Sequence, residues 1–247
     1  MHKYIEKEQT AMNIKTVLFD LDGTLLPMDQ DNFAKAYIGG LVKTAVPAGY
    51  DHKTMADAIM AGTAAMVKNT GEQTNETVFW NVLCSVFGEK VLLDTHIFDE
   101  FYRTDFQKIK DICGFTPRAN DIVKHLKQHG MQIVLATNPL FPRIATESRI
   151  QWAGLDASDF AMITTYESSR FCKPNPDYYR DILQALDVSA EECLMVGNDA
   201  AEDMIASELG MSVFLLTDCL INRNNADISK YPHGGFDDLQ AFCRFGE

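Results

Sequence analysis

Basic residues are scarce in this sequence. The 22 lysines and arginines are outnumbered by 35 aspartates and glutamates, so the formal net charge is −13 at pH 7. Proteins that bind nucleic acids or anionic membrane surfaces need clustered Lys and Arg to neutralise phosphate groups. The composition therefore argues against both roles, and any phosphate that the protein binds must be held by a few local residues.

Paired cysteines and long apolar runs are also missing. No two cysteines form a CxxC pair, so neither a zinc site nor a disulfide framework is expected of Cys84, Cys113, Cys172, Cys193, Cys219 and Cys243. No run approaches the roughly 18 apolar residues of a membrane span, and the N-terminus lacks the apolar stretch of a signal peptide. We expect a soluble cytoplasmic protein with free thiols and a loose N-terminal extension over residues 1–13.

Short apolar runs occur instead, at 16–19, 131–136, 160–165, 193–196 and 212–216. They do not alternate with polar residues, which is typical of strands buried on both faces. Helical patterns lie between the later runs, at 119–128, 142–153, 176–186 and 200–209. Strands that alternate with helices predict an α/β fold with a Rossmann-like parallel sheet core.

The segment 28–115 interrupts this alternation. It shows helical periodicity and no convincing strand. A segment of about 90 residues is too long for a connecting loop. We therefore predict an inserted all-helical domain over residues 28–115, and a discontinuous sheet domain that consists of residues 14–27 and 116–247.

Polar residues cluster directly after the predicted strands. The carboxyl ends of parallel strands lie at one edge of a sheet, where ligands of open α/β folds bind. Alone, Asp22-Gly23 would be read as a turn and Asp199 as a helix cap. Their joint occurrence at several strand ends indicates a functional site that consists of Asp20, Asp22, Thr24, Thr137, Asn138, Lys173, Asp199 and Asp203.

Four segments resemble, in order, the four motifs of the haloacid dehalogenase-like (HAD) superfamily, whose members are mostly phosphatases. They are DLDGTL (20–25), ATN (136–138), CKPNP (172–176) and GNDAAED (197–203). The insertion is similar in position and helical character to the C1 cap of that family. Two features depart from the family pattern: Asn198 stands where some relatives have a second acid, and Pro139 follows Asn138.

The resemblance implies a Mg²⁺-dependent phosphatase that hydrolyses a small phosphorylated metabolite through an aspartyl-phosphate intermediate. Asp20 would be the nucleophile, and Asp22 the general acid and base, with a pKa raised by neighbouring carboxylates. The resemblance also implies phosphate binding by Thr137, Asn138 and Lys173. It implies metal binding by the Asp20 and Asp199 carboxylates and the Asp22 carbonyl. Thr24 would contact the acid through its hydroxyl, and Asp203 would orient Lys173 or a metal-bound water.

Other activities remain open from the sequence. A dehalogenase needs no leaving-group acid, so Asp22 argues against that reaction. A phosphomutase acting on a hexose phosphate would keep the same acids and a helical cap, and a non-catalytic binding protein for phosphometabolites is the least favoured alternative. Neither the substrate nor the oligomeric state is indicated by the sequence.

Overall fold

The structure, a computed structural model, describes residues 13–243 and is built on one parallel sheet. Within these residues the strands are β1 Thr16–Phe19, β2 Gln132–Leu135, β3 Met162–Ile163, β4 Cys193–Gly197, β5 Ser212–Leu216 and β6 His233–Gly234. They lie in the order β3-β2-β1-β4-β5-β6, and every neighbouring pair is parallel. The predicted α/β fold is confirmed. Apart from Asn13, the predicted N-terminal extension lies outside the described residues.

Both faces of the central strand β1 are buried. Val17 and Phe19 point into one hydrophobic cluster, and Leu18 between them points into a second cluster on the opposite face. Side chains alternate between the two faces of a strand, so a fully apolar strand is stable only where both faces are covered. The lack of polar alternation in the sequence therefore follows from the central position of β1.

Residues 28–115, all of them described, form helices and no strand. These are α1 Gln30–Ala45, α2 His52–Val67, α3 Asn75–Phe87, α4 Lys90–Leu93 and α5 Thr95–Arg103, followed by a 3₁₀ helix over Asp105–Ile112. Asp29 and Asp51 each accept a hydrogen bond from the backbone amide three residues later and so fix the starts of α1 and α2. The prediction of a helical insertion is confirmed, whereas its division from the sheet as a separate domain remains a prediction.

The helices around the sheet are α6 Pro117–Gln128, α7 Arg143–Trp152, α8 Pro176–Leu186 and α9 Phe236–Phe242. The first three lie where the sequence pattern predicts helices, within two residues at each end. The predicted strand over 160–165 is wrong in extent, because only Met162–Ile163 pairs with β2. β3 is an edge strand, and after it the Thr164 hydroxyl donates to the Thr137 carbonyl at 2.7 Å, which fixes a loop instead of a longer strand.

The predicted α-helix over 200–209 is wrong in type. This segment contains turns and then a 3₁₀ helix over Met204–Leu209. The Ala200 amide donates to the Ile221 carbonyl at 2.9 Å, which ties the start of the segment to the loop after β5. The Glu202 amide donates to Asp199 Oδ1 at 2.9 Å and so caps the segment. The contact with Ile221 joins residues that are distant in sequence, so the local helical pattern does not contain it.

Two sequence-based expectations concern the environment of the chain. All six cysteines carry free thiols in the structure. None of the helices within residues 13–243 has both the length and the hydrophobicity of a membrane-spanning helix.

Candidate active site

A cavity of about 190 Å³ lies at the carboxyl ends of the central strands. The sheet contributes side chains that follow β1, β2 and β4, and the insertion contributes Gln30, Phe33 and Ala34 of α1. The predicted site residues that line the cavity are Asp20, Asp22, Thr137, Asn138, Asp199 and Asp203. Thr24 and Lys173 lie beside it in contact with Asp20, so the structure brings all the predicted residues together.

Asp20 is buried at the end of β1, with only 7% of its surface exposed. Its Oδ1 accepts a hydrogen bond from Lys173 Nζ at 3.0 Å, and Thr24 Oγ1 lies 3.1 Å from its Oδ2. The expectation that Thr24 contacts the acid Asp22 is therefore wrong. Gly23 adopts φ +87°, a conformation that glycine tolerates without strain, and the turn at this position aims Thr24 back at Asp20.

Lys173 is fully enclosed between two carboxylates. Its Nζ donates to Asp20 Oδ1 and, at 2.6 Å, to Asp203 Oδ1. Burial alone would lower the pKa of Lys173, but the two carboxylates outweigh it and hold that pKa well above its usual value. Asp203 comes this close because Gly197 has no side chain: a Cβ there would lie 2.1 Å from Asp203 Oδ2. Lys173 is therefore a fixed positive charge beside Asp20.

Asp22 has a partner that the sequence did not predict. Its Oδ2 accepts a hydrogen bond from Arg149 Nη1 in α7, whereas its Oδ1 is buried without a hydrogen-bond partner among the described residues. The pKa of Asp22 is raised, chiefly by burial; Arg149 opposes that rise and Asp20 adds to it. The predicted direction is thus present, but burial exceeds the effect of the neighbouring carboxylate.

Arg149 is a buried cation, with none of its surface exposed. Its Nη2 donates to Thr146 Oγ1 at 3.3 Å, and its guanidinium carbon lies 4.1 Å from the centre of the Phe141 ring. A stacked, paired guanidinium is the form in which a cation is tolerated away from water. One signal in the sequence could have revealed it: Arg149 lies four residues after Ala145 and three before Trp152, on the buried face of α7.

Hydrogen bonds from neighbouring side chains hold the loop after β2. The Thr137 carbonyl accepts hydrogen bonds from Thr164 Oγ1 and, at 2.9 Å, from the Tyr178 hydroxyl. Asn138 Nδ2 donates to Glu202 Oε2 at 2.9 Å, while Asn138 Oδ1 is buried without a partner among the described residues. Burial raises the pKa of Glu202 to about 7. Glu202 is a second site residue that the sequence did not predict, although it lies within the fourth motif.

Asp199 caps the turn that follows it and also lies at the cavity. Its Oδ1 accepts hydrogen bonds from the Ala201 and Glu202 amides at 2.7 and 2.9 Å, which is a cap of the following turn. The residue also lines the cavity that contains Asp20. A carboxylate has a second oxygen, so the cap does not remove Asp199 from the site.

The donor atoms around the cavity fit Mg²⁺. The ligand-type side chains that line it are carboxylates and amides, with no histidine or cysteine, and Mg²⁺ prefers such oxygen ligands and keeps several waters. Within residues 13–243 no three Asp, Glu, His or Cys side chains converge as a metal centre by themselves. The Asp22 carbonyl accepts from Gln30 Nε2 at 2.9 Å, and its second lone pair leaves it able to bind a cation.

The chain is similar to known proteins in sequence and in fold. The chain is 26% identical over 208 residues to the phosphoglycolate phosphatase of Vibrio vulnificus, and the aligned region covers 84% of this chain and 86% of that protein. It is 26% identical over 191 residues to the pyrophosphatase PpaX of Bacillus cereus, and the aligned region covers 76% of each chain. The crystal structure of a predicted phosphoglycolate phosphatase from Haemophilus somnus shares the fold, with a TM-score of 0.57, 17% identity and coverage of 93% and 98%.

A family model of haloacid dehalogenase-like hydrolases matches residues 14–208. This match includes both the sheet through β4 and the helical insertion. The chain therefore belongs to the haloacid dehalogenase-like hydrolases and is a phosphatase of that family.

Proposed function

We propose that this phosphatase hydrolyses a small phosphomonoester metabolite with Mg²⁺, through an aspartyl-phosphate formed on Asp20. The observation that carries the proposal is the placement of Asp20. Its carboxylate is buried at the cavity, with the Lys173 ammonium 3.0 Å away and the second acid, Asp22, two residues later.

Asp20 is suited to nucleophilic attack on phosphorus. Lys173 and Thr24 hold its two oxygens, so the carboxylate needs little reorganisation before it forms the bond to phosphorus. The positive charge of Lys173 offsets the negative charge that gathers as carboxylate and phosphoryl group approach each other. Thr137 and Asn138 line the cavity at the end of β2, where the Thr137 hydroxyl and the second N–H of Asn138 Nδ2 are the side-chain donors for phosphoryl oxygens.

Asp22 is suited to the proton transfers. As the phosphorus–oxygen bond breaks, a protonated Asp22 gives its proton to the leaving alcohol; the resulting carboxylate then takes a proton from the water that hydrolyses the aspartyl-phosphate. Arg149 holds Oδ2, so the unpartnered Oδ1 is the atom that can carry this proton. Burial, which raises the pKa of Asp22, favours the protonated form that the first step requires.

Mg²⁺ would be held by the carboxylates of Asp20 and Asp199 and by the Asp22 carbonyl, and it would neutralise charge on the phosphoryl oxygens. Lys173 provides a single positive charge, which is less than the combined negative charge of Asp20, Asp203 and the dianionic ester. A divalent cation is the additional charge that this acidic cavity requires.

The experiment measures phosphate release from p-nitrophenyl phosphate and from β-glycerophosphate, with Mg²⁺ and with excess chelator. Asp20→Asn should lower kcat by roughly 1,000-fold or more, because an amide cannot act as the nucleophile. The matched control is Asp57→Asn, which removes an exposed aspartate that pairs only with Lys53, and it should retain activity.

Full turnover in excess chelator, or in Asp20→Asn, would refute the mechanism. Slow phosphate release together with rapid isomerisation of a hexose phosphate would instead identify a phosphomutase. Acid-quenched intact mass spectrometry of the wild type during turnover should show one added phosphoryl group, which Asp20→Asn should lack.

A further inference from the structure

A second cavity of about 270 Å³ adjoins the one that contains Asp20. The two share Ala34, Leu140 and Phe141 as lining residues, so they are direct neighbours in the protein. Its walls come from α1, α2, α3 and α5 of the insertion and from the loops after β2 and β3. We call it the aromatic cavity, after the rings described next.

Seven of the 17 residues that line it are aromatic, and several of their rings contact each other. The rings are those of Tyr37, Phe79, Trp80, Phe98, Phe141 and Tyr166, joined by Tyr102. The Trp80 ring meets the Phe79 and Phe98 rings edge-on, with centres 5.5 Å apart in each pair. The Tyr37 and Tyr102 hydroxyls lie 2.7 Å apart and bond to each other, so the remaining wall is formed largely by rings and aliphatic side chains.

No lysine or arginine of the described chain lines either cavity. The nearest cations in the site are already paired: Lys173 with Asp20 and Asp203, and Arg149 with Asp22. The one charged residue in the wall of the aromatic cavity is Asp99, which is an anion. A second anionic group on the substrate would therefore lose its water without gaining a cation, which is costly.

We propose that the aromatic cavity binds the alcohol part of the substrate, and that this alcohol is neutral, apolar and aromatic. This inference rests on the proposed phosphatase function and names the class of its substrate. A cavity of about 150 Å³ holds one benzene ring in another protein, so this volume admits one ring with substituents or a compact two-ring group. Edge-to-face contacts with the surrounding rings would add to the burial of apolar surface.

The inference separates this chain from the relatives described above. Phosphoglycolate and pyrophosphate both have a second anionic group besides the phosphoryl group that is attacked. The aromatic cavity offers such a group no partner, so these two compounds should be poor substrates here.

The test compares kcat/KM of the wild type for benzyl phosphate and for 4-carboxybenzyl phosphate, which has the same ring and one added carboxylate. We expect benzyl phosphate to be preferred by roughly tenfold or more, because the carboxylate is buried without a cation. Phosphoglycolate should be disfavoured in the same way. Equal or better turnover of the carboxylated ester by the wild type would overturn the inference.

A charge added to the wall provides a second test. Thr63 lines the aromatic cavity from α2, remote from Asp20. Thr63→Lys should lower the preference for benzyl phosphate by about tenfold, since the new ammonium can pair with the carboxylate. Thr63→Met, which adds similar length without charge, should retain the preference. An unchanged preference in a folded Thr63→Lys variant would count against the cavity as the binding site.

β-Glycerophosphate, which has no ring and no second anion, separates the possible failures. If the wild type hydrolyses it and both benzyl esters equally well, the aromatic cavity does not select the substrate, while the phosphatase function stands. If no phosphomonoester releases phosphate, the proposed function fails and the inference fails with it.

Discussion

The contact between Arg149 and Asp22 is a buried ion pair next to the reacting groups. Arg149 has no exposed surface and Asp22 has 14% of its side chain exposed. Such a pair gains little net stability, because both charges lose water, but loss of one partner leaves the other charge buried and unpaired. Each single substitution should therefore destabilise the protein, and the comparison of the single and double variants measures the coupling between the two side chains.

We predict that Arg149→Met lowers the free energy of unfolding by about 3 kcal/mol, since Asp22 must then either keep a buried unpaired charge or take up a proton. The double variant Arg149→Met with Asp22→Asn should lose clearly less than the sum of the two single variants. Urea titrations of the four proteins, followed by circular dichroism, give the coupling. Strict additivity would show that the two side chains do not stabilise each other.

Glu202 gives a prediction about pH. Burial raises its pKa from 4.5 to about 7 in the folded protein. Between these two values the unfolded chain releases a proton that the folded protein keeps, so folding becomes less favourable as the pH rises through this window. Glu202→Gln removes this titration and can still accept the hydrogen bond from Asn138 Nδ2.

The stability of Glu202→Gln relative to the wild type should therefore increase between pH 4.5 and pH 8, by at most about 3 kcal/mol. Urea titrations at both pH values, with chelator present so that no cation stabilises the carboxylate, measure the difference. Glu208→Gln, a substitution at a nearby exposed glutamate, is the matched control for removal of one acidic side chain. If Glu202→Gln and the wild type keep the same difference at both pH values, the burial of Glu202 does not affect its titration in the folded protein.

The sequence predicted the residues that follow strands and missed those that reach the site by packing. Asp20, Asp22, Lys173 and Asp199 were found because the ends of parallel strands lie at one edge of a sheet. Arg149 lies in the last turn of α7, and its proximity to Asp22 depends on how α7 packs. Thr24 was assigned to the wrong carboxylate because the direction of the turn at Gly23 cannot be read from its composition.

At the scale of elements, α1 contains two adjacent glycines in contrasting surroundings. A Cβ at Gly39 would meet nothing within 4 Å, whereas a Cβ at Gly40 would lie 2.6 Å from Phe101 Cε2 of α5. Glycine inside a helix costs up to about 1 kcal/mol relative to alanine. The close approach of α1 to α5 explains why Gly40 is retained, and nothing in the packing explains Gly39.

The two glycines therefore form a matched pair of substitutions. Gly39→Ala should stabilise the protein by about 0.5–1 kcal/mol through helix propensity alone. Gly40→Ala should destabilise it by about 1–2 kcal/mol, because displacement of the Phe101 ring outweighs the same gain. Thermal unfolding of both variants measures the two signs. A stabilising Gly40→Ala would show that α1 and α5 can separate at little cost.

The type of an element was predictable where the local apolar pattern decides it, and unpredictable where contacts with distant residues decide it. Strands β1, β4 and β5 and helices α6, α7 and α8 follow from the apolar pattern of each segment. The segments 160–165 and 200–209 have similar patterns, but the Thr164 hydroxyl donates to the Thr137 carbonyl and the Ala200 amide donates to the Ile221 carbonyl. Such contacts join residues that are distant in sequence, so no local pattern predicts them.

At the scale of the whole molecule, the insertion and the sheet share one hydrophobic cluster. Phe33 and Phe106 of the insertion belong to the same cluster as Phe19 of β1 and Ile150 of α7. The helical character of the insertion was predictable from its periodicity, but its docking was not. Polar contacts add to that docking, and the most buried of them involves Asn75 at the start of α3, which is fully buried against the loops that contain Asn138 and Lys173.

Asn75 Nδ2 donates to the Pro139 carbonyl at 3.1 Å and lies 3.3 Å from Cys172 Sγ. The next backbone group continues the contact, because the Glu76 amide donates to the Tyr166 carbonyl at 2.9 Å. Loss of the Asn75 side chain would leave buried groups unpaired, at a cost of about 1–3 kcal/mol. Because Pro139 follows one phosphate-binding candidate and Cys172 precedes another, loss of this contact should also disturb the site.

We therefore predict that Asn75→Ala speeds amide hydrogen exchange at the start of α3 and lowers kcat/KM for p-nitrophenyl phosphate, by about tenfold if the loops shift by a fraction of an ångström. The matched control is Asn81→Ala in the same helix, whose exposed amide bonds only to Gln73. Hydrogen–deuterium exchange of the peptide that begins at Asn75, measured beside steady-state kinetics, tests both effects. If Asn75→Ala behaves like Asn81→Ala in both measurements, the docking of the insertion depends on its hydrophobic cluster alone, and the Asn75 contacts do not position the loops of the active site.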